Sequence, residues 1–562
     1  MNYSFNRRNF LKLVGVGMAA ATFPPWMRAA DAPAASPGKP NFLVIIVDDM
    51  GFSDPGCYGG EIQTPNIDHL AANGLRFTNF YNTGRCWPSR ASILTGYFAQ
   101  QIRRDTFGGV YGGTMGKRPK WAPLLPVLLK PLGYHSYHSG KWHIDGNPVE
   151  QGFDRSFDYT DGDHHFVPAK RMARMEKPLQ PVGPEGYYAA TAVADIAIRQ
   201  LREHAEQCSN TPFFSYVAFN EPHFAIQAPQ ADIDRYRDTF LKGWDKMREE
   251  RWKRMKEKGI INCDLSKLES DIFLSQNLNP DEMKKEIGTC EVAQAVPWDT
   301  LTEEQKRFQA TKMAIHAAMV DRVDREIGRI LDQVKAMKAY DNTVIMFLSD
   351  NGASAELMIR GDGHDKSAPP GSAKTYLCLG PGFSSGANTP LRLHKSWVHE
   401  GGISTPLIVH WPEGIKARGE LRHDVTHLVD VVPTLVQLAG GLLPEKLGDV
   451  SVPKKPGLSL VPAFAKDGSV KHDYLWWLHE DHRAIRVGDW KLVSKGKPGP
   501  WELYDMKADR CESVNLVDKN PGKVKELSEK WTQCIKEFEK LARSDGGAIY
   551  KNDKKIEAGQ DD

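Results

Sequence analysis

The sequence predicts an α/β protein with a mostly parallel central sheet flanked by helices, plus a smaller C-terminal α+β domain with an antiparallel sheet. Three patterns predict it: continuous apolar runs of strand length, amphipathic helices between them, and a late change to short alternating strands. At about 150 residues per domain, the 562 residues accommodate two to four units. The boundaries read as a leader over 1–32, a linker over 33–40, a main domain over 41–440 with a helical insertion at 231–310, and a C-terminal subdomain over 441–562.

The leader comes first. Asn6-Arg7-Arg8-Asn9-Phe10-Leu11-Lys12 is a twin-arginine pattern, followed by 11 apolar residues from Leu13 to Phe23. A bilayer span needs about 20 residues, so this stretch is too short to cross. Ala30-Asp31-Ala32 offers small residues at the cleavage positions. The reading is a bacterial-type signal peptide that engages the Tat export machinery, giving a periplasmic or extracellular protein. No later segment is apolar enough for a membrane span.

Asn41 to Val47 is then an uninterrupted apolar run, as expected of a strand buried on both faces. Pro212–Phe219, Thr343–Leu348 and Pro406–His410 repeat that character. Between them, Ile315, Met319, Val323, Ile327, Ile330 and Val334 step by three or four and make one apolar stripe over Met313–Val334. Within the insertion, Leu241–Ile260 carries eight Lys/Arg and four Asp/Glu, which reads as a basic helix with a solvated face. Past residue 440, Arg483–Val487, Trp490–Val493 and Trp501–Asp505 read as short antiparallel strands, with a helix near Val524–Leu541.

Composition excludes several classes. Hydrophobic residues at 41% and charged residues at 26% exclude a largely disordered chain. The formal charge is +2, of which residues 1–32 supply +3, so the remainder stands at −1. Bulk charge therefore argues against a nucleic-acid partner. Eight cysteines without a C-x-x-C pair make neither a disulfide scaffold nor a zinc site, and most read as buried small side chains.

Two of the buried strands end in acid pairs. The first runs into Asp48-Asp49, the second into Asp350-Asn351-Gly352. Ligands of open α/β sheets bind outside the carboxyl ends of the strands. Three carboxylates and an amide oxygen gathered there suit a hard cation, Ca²⁺ or Mg²⁺, rather than zinc. The structural alternative is helix caps and turns, which also favour Asp and Asn. Near residue 86 the chain reads Thr83-Gly84-Arg85-Cys86-Trp87-Pro88-Ser89-Arg90-Ala91-Ser92-Ile93-Leu94-Thr95-Gly96. Pro88 suits a first helical turn, so Cys86 falls at a helix start, where free N–H groups receive an anion and Arg90 can fork onto its oxygens.

Cys86-x-Pro88-Ser89-Arg90-x-x-x-Leu94-Thr95-Gly96 resembles the signature of the type I sulfatases, in the alkaline phosphatase superfamily. Gly140-Lys141-Trp142-His143 resembles that family's second signature. The resemblance runs from Pro40 to about Leu516 and takes in Asn220-Glu221-Pro222-His223 and Lys395-Ser396-Trp397-Val398-His399-Glu400-Gly401-Gly402, and the charged insertion resembles that of a bacterial arylsulfatase branch. It implies an alkaline-phosphatase-like main domain and hydrolysis of a phenol or carbohydrate sulfate ester.

The resemblance also implies roles. A formylglycine-generating enzyme would convert Cys86 to Cα-formylglycine, whose hydrated aldehyde attacks sulfur. Asp48, Asp49, Asp350 and Asn351, with the modified Cys86, would hold one Ca²⁺, Mg²⁺ being the alternative. Arg90 would clamp sulfate oxygens, while Lys141, His223 and Lys395 would contact the ester. His223 and Lys395 would assist the leaving alcohol, His143 would accept a proton as sulfate departs, and Asp350 would help activate the attacking hydroxyl. His165, in the polar stretch Asp163-His164-His165-Phe166, is expected at the pocket mouth against the organic part of the substrate. The competing readings are a phosphonate monoester or phosphodiester hydrolase on the same core, and a non-catalytic glycan-binding relative.

Overall fold

The computed structural model describes residues 38–106, 116–159, 164–168, 186–272, 274, 276–361, 363–496 and 499–545. The twin-arginine leader, most of the linker and Asp163 lie outside the described residues. Nine strands form the main sheet: β1 (Asn41–Val47), β2 (Leu75–Tyr81), β3 (His135–Gly140), β4 (Arg155–Asp158), β5 (Phe213–Ala218), β6 (Thr343–Ser349), β7 (Ser404–His410), β8 (Glu420–Arg422) and β9 (Thr426–His427). Their order is β4-β3-β5-β1-β6-β7-β2-β8, with β9 also beside β2.

From β4 to β6 every pairing is parallel, which leaves β1 between β5 and β6 and brings their carboxyl ends to one edge. β1 alternates across the sheet as a period of two requires. Leu43, Ile45 and Val47 enter one apolar core, and Phe42, Val44 and Ile46 enter the other. The run at Pro406 is indeed a buried strand, but β7 is antiparallel to both β6 and β2. Burial on both faces yields an apolar run whichever way a strand points, so composition could not give its direction.

The striped helix spans Glu303–Ala336, started by Thr302, whose hydroxyl accepts from the Gln305 N–H at 3.2 Å. It buries Ile315, Met319, Ile327 and Ile330 against the first core. Of the described residues, no helix is long and apolar enough to cross a membrane.

The basic helix of the insertion, Gly243–Glu257, differs from a solvated face. Arg251 is fully buried, 2.7 Å from Asp54 and 3.1 Å from Glu61, and Arg248 is buried as well. Lys246 and Lys253 keep to solvent. A charge tally cannot separate these two sides of one helix.

The C-terminal sheet is antiparallel, in the order Leu475–His479, His482–Val487, Trp490–Ser494, Glu502–Asp505. Helix Pro521–Ala542 covers it, stacking Trp531 on Trp476 at 5.4 Å between ring centroids. A Cys263–Cys511 disulfide, with 6.2 Å between Cα atoms, ties the insertion to this end of the chain.

Candidate active site

β1 and β6 lie side by side in register, Val47 opposite Ser349, so Asp48 and Asp350 leave the sheet as neighbours. Asp49 turns sharply with φ of 64°, a left-handed conformation that Asp tolerates better than most side chains. Gly352 allows the next close approach, since a Cβ there would stand 1.8 Å from the Gly401 carbonyl oxygen. The loop that carries Lys395 is thereby drawn over the strand ends, and Lys395 N–H donates to the Ala353 carbonyl at 3.1 Å.

Cys86 opens the helix Cys86–Thr95 and is buried. One turn on, the Arg90 Nη1 donates to the Lys141 carbonyl at 3.0 Å, while its Nε and Nη2 reach Asp350 Oδ2 at 2.9 and 2.8 Å. Lys141 Nζ lies 2.5 Å from Asp48 Oδ2. Lys395 Nζ lies 3.0 Å from Asp49 Oδ2, and Asn351 Nδ2 donates to Asp49 Oδ1 at 2.6 Å. His223 Nδ1 contacts the Phe224 carbonyl at 2.5 Å, which leaves Nε2 facing Asp49 Oδ2 at 3.8 Å.

The expected residues from six chain segments thus meet at one sheet edge. His143 is also near, its ring 5.7 Å from that of Trp87 beside the cysteine. His165 is the exception. It is fully buried, with Nδ1 3.1 Å from Glu221 Oε1 and Nε2 3.1 Å from the His223 carbonyl. Both ring nitrogens are engaged, so His165 supports the His223 segment from behind and does not line the pocket mouth. Two polar neighbours compete successfully with solvent for a loop histidine, which the sequence alone could not show.

Electrostatics sharpen the assignment. Burial raises Asp350 to about 7, reinforced by Asp48, and burial also raises Asp49 despite Lys395. For Asp48 burial acts the same way, but Lys141, His223 and Arg90 outweigh it and hold the carboxyl below its ordinary range. Burial, then Lys141 and Arg90, keeps the His143 imidazole neutral well below its usual range. Burial raises the Cys86 thiol to about 11, against the pull of Lys141 and Lys395. The encoded cysteine is therefore a protonated thiol at neutral pH and a poor nucleophile.

The donor set fits a hard cation. Asp48 Oδ1, Asp350 Oδ1 and Asn351 Oδ1 are all buried without a hydrogen-bond donor. Orphaned acceptors at such depth are costly, and three at one strand edge call for a positive partner. Asp48, Asp49 and His223 can also bring ligand atoms within 4.8 Å of one another. The four oxygen-bearing residues suit Ca²⁺ or Mg²⁺ better than that mixed trio does, because hard cations prefer oxygen.

Four residues around the site escaped sequence reasoning. Arg85, just before Cys86, stands 3.1 Å from the buried Glu356, and Glu356 stands 3.2 Å from Lys395. Glutamate in a loop is ordinarily exposed, so nothing in the pattern marks Glu356. Asp105 and His479 were also missed. They pair at 2.9 Å, with His479 edge-on to Trp87 at 5.4 Å, bringing the C-terminal sheet to the site.

The Sulfatase family model matches residues 40–442, and the model for the C-terminal part of N-sulphoglucosamine sulphohydrolase matches residues 392–540. An uncharacterized sulfatase of Schizosaccharomyces pombe is 32% identical over 544 residues, covering 88% of this chain and 93% of its own. An arylsulfatase of Klebsiella aerogenes is 31% identical over 478 residues, covering 79% and 94%. In fold, the chain is similar to the solved structure of Ps i-CgsB with k-i-k-neocarrahexaose, at a TM-score of 0.62 and 22% identity over 91% of this chain and 95% of that one.

Proposed function

The chain belongs to the type I sulfatase family of the alkaline phosphatase superfamily and is a sulfuric ester hydrolase, and we propose that it works through a formylglycine at Cys86 and one bound Ca²⁺. The observation that carries this reading is the trio of buried, donor-free oxygens on Asp48, Asp350 and Asn351 beside the Cys86 helix start. Asp48, Asp49, Asp350 and Asn351 would hold the cation. When bound, it supplies positive charge against sulfate oxygens, and the oxidised Cys86 supplies a hydrated aldehyde as nucleophile.

The chain's own groups do the rest. Arg85, Arg90, Lys141 and Lys395 balance Asp48, Asp49, Asp350 and Glu356, so a divalent cation leaves these groups at about +2, the sign that receives a sulfate. Arg90 and Lys141 grip the sulfate oxygens and orient the sulfur toward position 86. Asp350 assists the attacking hydroxyl. Lys395 is an ammonium between two carboxylates and steadies the departing alcohol oxygen. His223 joins it through Nε2, which gains a proton more readily once the anionic ester is in place. His143, already neutral, accepts the proton released as sulfate leaves.

Phenyl sulfates are the proposed test substrates, in keeping with the Klebsiella arylsulfatase among the relatives. Maturation by a formylglycine-generating enzyme and export through the Tat machinery, suggested by Arg7 and Arg8, complete the proposal. The test is parallel assay of 4-nitrophenyl sulfate and a 4-nitrophenyl phosphonate monoester on one preparation. A higher kcat/KM for the sulfate is expected; preference for the phosphonate would overturn the assignment.

A further inference from the structure

Glu356 lies on the loop after β6 and is fully buried beside four partners, one of them Gln276, whose Nε2 donates to Oε1 at 3.3 Å. Glu356 Oε2 accepts from Ser354 Oγ at 2.8 Å and stands 3.2 Å from Lys395 Nζ, and its Oε1 stands 3.1 Å from Arg85 Nη2. Arg85 precedes the nucleophile position, and its Nη1 donates to Ser396 Oγ at 2.6 Å, one residue past Lys395. A single carboxylate therefore joins the post-β6 loop, the start of the Cys86 helix and the Lys395 turn.

A lysine ammonium has three donors. At Lys395 one faces Asp49 at 3.0 Å and a second faces Glu356 at 3.2 Å. The Phe224 ring lies 5.1 Å from Nζ and covers a further side. A buried lysine needing only charge balance is served by Asp49 alone. A second carboxylate, itself anchored by Ser354 and Arg85, instead fixes where the remaining N–H points.

We propose that Glu356 is a positioning residue that aims the third N–H of Lys395 at the leaving oxygen of the ester. The inference rests on the sulfatase reading above. As the S–O bond breaks, its electron pair stays on the alcohol oxygen. The aimed N–H offsets that charge without losing its proton, and the proton the alcohol gains comes from His223 Nε2. Aim matters most when the alcohol is a poor leaving group, because more charge then needs support.

The test is a series of aryl sulfates of graded phenol acidity, from 4-nitrophenyl to phenyl sulfate, on wild type, Glu356→Gln and Ser354→Ala. For Glu356→Gln, kcat/KM should fall about tenfold more for phenyl sulfate than for 4-nitrophenyl sulfate. Each slope is a ratio within one preparation, so partial loss of folded protein cancels. An equal loss across the series, or no loss, overturns the proposal. Should Glu356→Gln yield no folded protein, Ser354→Ala decides on the same criterion, with steepening by about threefold expected. A wild type that cleaves only the phosphonate would instead overturn the sulfatase reading.

Discussion

Arg90 binds a single oxygen of Asp350 through two nitrogens, at 2.9 and 2.8 Å from Oδ2, and leaves Oδ1 buried with no donor. The two oxygens of one carboxylate thus face different tasks. Oδ2 fixes the arginine one turn beyond Cys86, and Oδ1 is left, with oxygens of Asp48 and Asn351, to the cation proposed for this site. This relationship joins the two sequence patterns, the acid-tipped strands and the cysteine helix, into one site.

Asp350→Asn should therefore lose metal before it loses fold. Metal analysis of the purified variant should show bound Ca²⁺ well below one per chain, with turnover down at least about a hundredfold. Chelation of wild type should abolish activity, and Ca²⁺ should restore it better than Zn²⁺. Full turnover in metal-free protein would contradict the oxygen-site assignment.

The two histidines should separate in kinetics. His143→Ala is expected to lower kcat for every ester by about a hundredfold or more, since it removes a neutral proton acceptor. His165→Ala should also lower kcat, through a loosened His223, with ratios among aryl and sugar sulfates held within about twofold. A change of substrate ranking in His165→Ala would return that residue to the pocket mouth.

Stability should carry a signature of the Asp105–His479 pair. Burial lowers the His479 imidazole, but Asp105 at 2.9 Å more than reverses this, and the group stands raised to about 9. The folded value lies above the ordinary value of about 6.5, so the stabilisation is complete below pH ~6.5 and is lost as pH rises through about 9. The displacement corresponds to about 3 kcal/mol at most. Urea midpoints should fall over that window in wild type and change less in Asp105→Asn. Parallel profiles for both proteins would refute the coupling.

Much of this architecture was legible because it rests on simple causes. Strands buried on both faces must be apolar along their whole length, so β1, β5, β6 and β7 stood out. β2 and β3 carry polar residues such as Arg76, Asn79, His135 and His138 and gave no comparable signal. The residues proposed for the metal and the sulfate were picked out by motif order and strand ends. Glu356, Arg85 and the His479 pair were not, because their roles come from partners more than 250 residues away, or from the burial of a loop that looks polar in sequence.

The most direct measurement is the mass of the peptide containing residue 86 in active protein. Burial raises the encoded thiol to about 11, which disfavours the thiolate, and the proposed mechanism instead uses the oxidised form of Cys86. Oxidation of cysteine to formylglycine replaces sulfur by oxygen with loss of two hydrogens, leaving the peptide about 18 Da lighter. The peptide should appear at that mass in proportion to activity, and Cys86→Ala should be folded and nearly inactive. Full activity in protein whose residue 86 is unmodified cysteine would contradict the account.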